Sequence, residues 1–204
     1  MDKNKQEIKT TWQASLDEPI RYEELRHNKS ADVIVIGGGI TGATTAYLLA
    51  RAGKKVILLD AGNILRSVTA RTTAFITSII DTDLSDLVFM MGHEEAKKVI
   101  LSGEAAINEI EEIVRREQID CEFMRTSNCS ITFKKRGRKK LEKNARILES
   151  FGLSASFHQS GKFSFAHEGF MMMQNQAKFH PLKYVSGLRR AIIKYGGEIY
   201  EEND

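Results

Sequence analysis

Three glycines and one carboxylate carry the chemistry most readily read from this chain. Gly37-Gly38-Gly39-Ile40-Thr41-Gly42 has the G-x-G-x-x-G spacing. Gly37 permits a tight turn, Gly39 lets the backbone approach a pyrophosphate, and Gly42 lets a helix pack on a strand with no Cβ between them. Asp60 follows Gly39 by 21 residues, where a carboxylate can accept hydrogen bonds from a ribose hydroxyl. Together they suit the diphosphate and sugar of a dinucleotide.

Such groups work only if flanking elements place them. The run Val33-Ile34-Val35-Ile36 is β-branched throughout and predicts a strand buried on both faces of a parallel sheet. Ile40, Ala43, Ala46, Tyr47 and Ala50 recur at helical spacing, and Gly53 suits the residue after the helix C-cap. That helix begins at the glycines, so its free N–H groups and positive dipole end face any phosphate over them. Val56-Ile57-Leu58-Leu59 is the second strand and Asp60 ends it. A glycine-rich turn that binds nothing is the alternative, but it gives no reason for an acid closing a wholly apolar strand.

Composition narrows the class. The 204 residues are 42% hydrophobic and carry a net charge of +3, enough for a core and too weakly basic to argue for nucleic acid. Basic residues cluster at Lys134-Lys135-Arg136-Gly137-Arg138-Lys139-Lys140, with no interleaved aromatics, which reads as a solvated turn. Cys121 and Cys129 lack metal spacing and suit a reducing cytoplasm. His158, His167 and His180 share no ligand spacing, so no metal is assigned. The N-terminus shows no signal peptide, and no run approaches the roughly 20 apolar residues of a membrane span. No membrane span, no nucleic acid and a cytoplasmic location are the expectations.

Residues 1–30 read as an arm held against the domain by Trp12, with a disordered leader as the alternative if Trp12 is solvent-exposed. After Asp60 come Ala61-Gly62-Asn63-Ile64-Leu65-Arg66-Ser67-Val68-Thr69-Ala70-Arg71-Thr72-Thr73-Ala74, small and hydroxylic residues whose composition suits equally a segment lying along a phosphate-bearing ligand and a mobile surface loop. Ala96, Val99, Ile100, Gly103, Ala106, Ile107, Ile110, Ile113 and Val114 form a helical stripe between Glu94 and Glu117. Strand propensity follows over 119–133, then a helix with Leu141, Ala145, Leu148 and Phe151 on one side and Gly152 as its stop. Phe163-Ser164-Phe165-Ala166 alternates as if in an antiparallel sheet, and Met171-Met172-Met173 reads as core filling. His180-Pro181 starts a helix to about Tyr195, and Glu198-Ile199-Tyr200 begins a strand.

The run from Asp32 to Thr77, with its glycine turn, Asp60-Ala61-Gly62 and Arg71-Thr72-Thr73-Ala74, resembles the N-terminal part of the FAD-dependent amine and amino-acid oxidoreductases, which include D-amino-acid and glycine oxidases. It is most similar to the branch that often carries a C-terminal Rieske domain. Gln176 to Tyr184, Gly187-Leu188 and Gly196 to Tyr200 match further along, in the family's order. The resemblance implies an α/β fold: an FAD-binding Rossmann-like domain with a parallel sheet, plus part of an antiparallel-sheet substrate domain. Its bounds would be an arm at 1–30, FAD-binding residues at 31–118 and 179–204, and substrate-domain residues at 119–178. FAD would contact Gly37, Gly39, Ile40, Thr41, Gly42, Asp60, Ala61, Arg71, Thr72, Thr73 and Ala74, with Arg71 the group expected nearest the flavin. The family more usually has glutamate at position 60 and glycine at position 70.

The implied reaction is oxidation of a small amine or amino acid by hydride transfer to flavin, with no catalytic residue assigned in this chain. The resemblance also implies further sequence after Asp204, so the chain reads as an N-terminal portion. Two other readings stay open: a dehydrogenase using NAD through the same unit, since Asp60 suits an unphosphorylated ribose, and a non-catalytic remnant.

Overall fold

The computed structural model describes residues 9–16, 21–63, 67–161 and 163–202. In chain order its elements are α1 (Thr11–Ala14), β1 (Val33–Ile36), α2 (Ile40–Arg51), β2 (Val56–Leu59), β3 (Phe75–Ile76), α3 (Leu84–Met91) and α4 (His93–Arg116). Then come β4 (Met124–Thr132), α5 (Lys135–Ser150), β5 (Ala155–His158), β6 (Gly169–Lys178), α6 (Pro181–Lys194) and β7 (Glu198–Tyr200). They divide into two compact units, one of Met1–Ala74, Ile113–Glu122 and Phe179–Asp204, the other of Phe75–Glu112 and Phe123–Lys178. Residues 75–112 thus group with the antiparallel sheet, whereas the resemblance ran the first domain on to 118.

The first unit is built on a parallel sheet in the order β1-β2-β7. Val35 pairs with Leu58, and Leu58 with Ile199. Central β2 is buried, and the strand begun at Glu198 finds its partner there. The expectation that β1 is buried on both faces needs correction. Among the described residues β1 is an edge strand, and Ile34 and Ile36 are 55% and 84% exposed. Its run of β-branched residues sets strand propensity, but burial depends on what covers it. α2 buries Ala43, Ala46, Tyr47 and Ala50 and packs on α6. In α6, His180 caps the N-terminus by accepting the Lys183 amide at 3.2 Å, with Pro181 in the first turn.

Between α2 and α6 lies a polar cluster. Tyr47 and Tyr195 donate to Glu117 Oε1 at 2.8 and 3.0 Å, and Lys194 donates to its Oε2 at 2.9 Å. Burial alone would raise the Glu117 pKa, but these three donors hold it below the usual carboxylate range. The arm of the sequence reading docks at the other end of α6: Trp12 Nε1 donates to the Thr72 carbonyl at 2.8 Å, and its ring meets that of His180, the N-cap of α6, edge-on at 5.1 Å. Arm residues 1–8 and 17–20 lie outside the described residues.

The second unit is an antiparallel sheet, β3-β6-β4, with β5 also pairing β6. Met171 and Met173 pack with Leu84, Leu87, Ala96, Ile100 and Leu148, so the methionine run does fill core. Two expectations fail. Phe163 to Ala166 is not a strand: the Phe163 ring stacks on Phe165 at 5.1 Å and meets Phe170 edge-on at 5.3 Å, making a local aromatic cluster. The basic run is not a turn either, because Lys135 onward forms the first turns of α5. Lysine and arginine are good helix formers, and charge alone did not reveal that.

Candidate functional site

The G-x-G-x-x-G turn joins β1 to α2 as the spacing requires. Gly37 has φ +100°, a conformation side chains resist, and the Cβ of an alanine at 42 would lie 1.8 Å from the Gly37 carbonyl oxygen. Gly39 is the N-cap of α2 and has no side chain to cap it. A helix start leaves its first N–H groups unsatisfied within the helix. Thr69 Oγ1 accepts one of them, from Ile40, at 3.3 Å. Over this turn lies a groove of about 620 Å³ lined by Gly37, Gly39, Ile40, Thr41, Gly42 and Thr72, together with Val35, Ile36, Thr45, Ser67, Val68 and Thr69. A helix N-terminus opening into a groove edged by hydroxyls is suited to a phosphate group.

Other predicted residues sit elsewhere. Asp60, Ala61, Arg71, Thr73 and Ala74 do not line that groove. Asp60 reaches the turn from beside it: its Oδ2 accepts the Gly38 amide at 2.5 Å and its Oδ1 the Gly62 amide at 2.9 Å. Ala61, Arg71 and Thr73 are exposed. Ala74 is buried with φ 63°, and its carbonyl accepts from Phe179 N at 3.3 Å. The glycine-like backbone of this segment therefore falls on Ala74, while Ala70, where the resemblance led to an expected glycine, is fully buried in a turn of 3₁₀ helix over Val68–Arg71. Residues 64–66 of the loop lie outside the described residues.

Three contributors escaped the sequence reading. Thr69 was legible as part of a hydroxyl-rich loop, but its partner Ile40 lies 29 positions away. Gly38, the unassigned residue of the motif, is where the turn meets Asp60, and a Cβ there would lie 2.6 Å from Asp60 Oδ2. The same Cβ would lie 2.6 Å from Arg189 Nη2, and no local pattern pointed to an arginine in α6. Neither Cys121 nor Cys129 forms a disulfide. Among the described residues no group of three His, Cys, Asp or Glu is placed to hold a metal, and no helix is long and apolar enough to cross a membrane.

The second unit has its own cleft, of about 400 Å³, lined among others by Thr77, Thr126, Asn128, Cys129 and Gln176. Behind it Gln176, 2% exposed, accepts from Ser78 N at 2.8 Å and donates to Glu104 at 2.6 Å. That network satisfies a buried amide and holds β6 to the Ser78 segment.

The geometry of the first unit fits an FAD. A bare turn, a helix start that its own N-cap residue leaves without a side-chain cap and an open groove accommodate a diphosphate, and Asp60 stands at the turn's flank. The match to known proteins is of the same kind. Residues 32–204 match the family described as FAD dependent oxidoreductase. A putative Rieske 2Fe-2S iron-sulfur protein YhfW of Bacillus subtilis is 33% identical over 97% of this chain and 39% of its own length. The gamma-glutamylputrescine oxidoreductase of Escherichia coli is 26% identical over 92% of this chain and 45% of its own. Glycine oxidase from Geobacillus kaustophilus shares the fold with a TM-score of 0.67 at 17% identity, over 84% of this chain and 46% of that one. L-amino acid deaminase from Proteus myxofaciens does so with a TM-score of 0.71 at 15% identity, over 91% and 41%. The chain spans less than half the length of these relatives. With a family match over most of its length, from residue 32 to 204, and a turn, helix and groove that suit it, the chain belongs to the FAD-dependent oxidoreductases.

Proposed function

We propose that the enzyme oxidises a small amine or amino acid, with hydride passing from the carbon next to nitrogen to a bound flavin. The observation that supports this most is the groove over Gly37, Gly39, Ile40, Thr41 and Gly42 at the start of α2, in a chain of this family. In this reading those residues hold the diphosphate of FAD, Asp60 and Ala61 flank its ribose, and Arg71, Thr72, Thr73 and Ala74 lie on the path toward the flavin. Thr72 is steadied by the bond from Trp12 to its carbonyl. The redox chemistry is the cofactor's when bound; the protein binds, orients and excludes water.

Relatives support the substrate class. One curated relative is named for gamma-glutamylputrescine, an amine, and two solved neighbours for glycine and L-amino acids. Thiols not engaged in a disulfide suit a reducing, cytoplasmic setting. Titrating the purified chain separately with FAD and NAD tests the proposal: saturable quenching of flavin fluorescence with no NAD binding is expected. NAD binding without FAD binding would overturn it in favour of a nicotinamide dehydrogenase.

A further inference from the structure

We propose that Arg189 is a positioning residue for the Asp60 carboxylate, held in that role by Glu201. The inference rests on the reading of Asp60 as the acceptor of a ribose hydroxyl. Arg189 and Glu201 side chains are 3% and 2% exposed, and Arg189 Nη1 donates to Glu201 Oε1 at 2.5 Å. The other two nitrogens, Nε and Nη2, have no hydrogen-bond partner among the described residues. Nη2 nevertheless lies close to Asp60. It and Asp60 Oδ2 flank the same point, each 2.6 Å from where a Gly38 Cβ would stand.

A buried guanidinium survives only if its charge is balanced, and Glu201 balances it. Glu201 is itself fixed: the Tyr22 amide donates to its Oε2 at 3.2 Å, and its own amide donates to the Glu23 carbonyl at 3.2 Å. The Tyr22 ring lies 5.5 Å from the guanidinium carbon. Arg189 therefore cannot swing away, and its positive charge stays beside Asp60 without forming an ion pair with it. That distinction matters for ligand binding. A carboxylate offers about four lone-pair sites, and the backbone amides of Gly38 and Gly62 use two. An arginine closing on Asp60 in a two-bond fork would consume the rest. Engaged by Glu201 instead, Arg189 attracts and orients the carboxylate yet leaves acceptors for a sugar hydroxyl. It also explains why position 38 carries no side chain.

The test is calorimetric titration of the full chain with ADP and with 2′-deoxy-ADP, alongside thermal melts without ligand. The wild type is expected to prefer ADP by about tenfold, the worth of one hydrogen bond to a charged acceptor. The double variant Arg189→Met/Glu201→Leu replaces the buried pair by apolar groups, a change proteins often tolerate. It is expected to melt cooperatively while the preference falls to about twofold or less. Arg189→Lys keeps a cation for Glu201 but has no second nitrogen to stand beside Asp60, and is expected to lower the preference with little change in melting; it decides the matter if the double variant does not fold. Variants that keep the full wild-type preference overturn the role of Arg189 alone. A wild type that binds ADP with no preference overturns the role of Asp60, and one that binds neither nucleotide overturns the cofactor site itself.

Discussion

Gly42→Ala and Gly39→Ala separate what the glycine turn does for folding from what it does for binding. At position 42 a Cβ would stand 1.8 Å from the Gly37 oxygen and 3.0 Å from the Gly37 carbon, both backbone atoms. Ordinary contact needs about 3.5 Å, so α2 and β1 must part by more than an ångström. Overpacking of well-packed sites costs typically 1–3 kcal/mol. With no side chain able to yield, we expect about 3 kcal/mol at position 42, out of the 5–15 kcal/mol that holds a typical protein folded. At 2–4 °C per kcal/mol for a chain of this size, the melting temperature should fall by roughly 6–12 °C. Gly39 differs. Its φ of −69° suits alanine, and the nearest atom to a Cβ is the Thr69 hydroxyl at 3.2 Å. Gly39→Ala should shift stability by less than about 1 kcal/mol but put a methyl group into the groove, lowering FAD affinity by about tenfold or more. Fluorescence of Trp12, the single tryptophan, reports unfolding of this unit, and flavin quenching reports binding. The reasoning is refuted if Gly42→Ala melts with the wild type, or if Gly39→Ala is as unstable as Gly42→Ala.

The remaining expectations concern the polar groups around α6. Glu117→Ala strands the hydroxyl of Tyr47, a fully buried residue, and removes the partner of Tyr195 and Lys194; a loss of about 1–3 kcal/mol should show as a lower urea midpoint, with Glu117→Gln milder. Acid should also destabilise this unit. The His180 pKa is lowered from 6.5, first by burial and then by the Lys183 charge, and Glu117 is lowered from 4.5. Both groups bind fewer protons folded than unfolded, so stability is full above their unfolded values and is lost as pH falls, below 6.5 for His180 and below 4.5 for Glu117. The urea midpoint should therefore drop between pH 7 and 5, and His180→Asn, which keeps a capping side chain, should flatten that slope. An unchanged slope would show that His180 is not the titrating group.

Local pattern carried much of the fold. The strand, turn, helix, strand and Asp60 stand where spacing placed them, because each is specified by neighbours within a few residues. α6 was equally legible from its Pro181 start, and its Gly196 follows the end. Burial of β1 was not, since Ile34 and Ile36 look like any core strand, and only the sheet shows them exposed among the described residues. Phe163 to Ala166 alternates like a strand, but its rings gather with His167 and Phe170 while its backbone takes no strand conformation. The site divides in the same way. Its glycines were readable one by one, whereas the meeting of Gly38, Asp60, Arg189 and Glu201 joins residues scattered along the whole chain. Only packing brings them together, and no spacing rule encodes it.

The most direct measurement is the set of backbone amide shifts that ADP produces in the chain's ¹⁵N spectrum. If the glycine turn holds the diphosphate, Gly39, Ile40 and Thr41 should move saturably, Gly62 should follow through Asp60, and residues 124–132 of β4 should stay still. Saturable shifts in β4 with the turn unmoved would contradict the account.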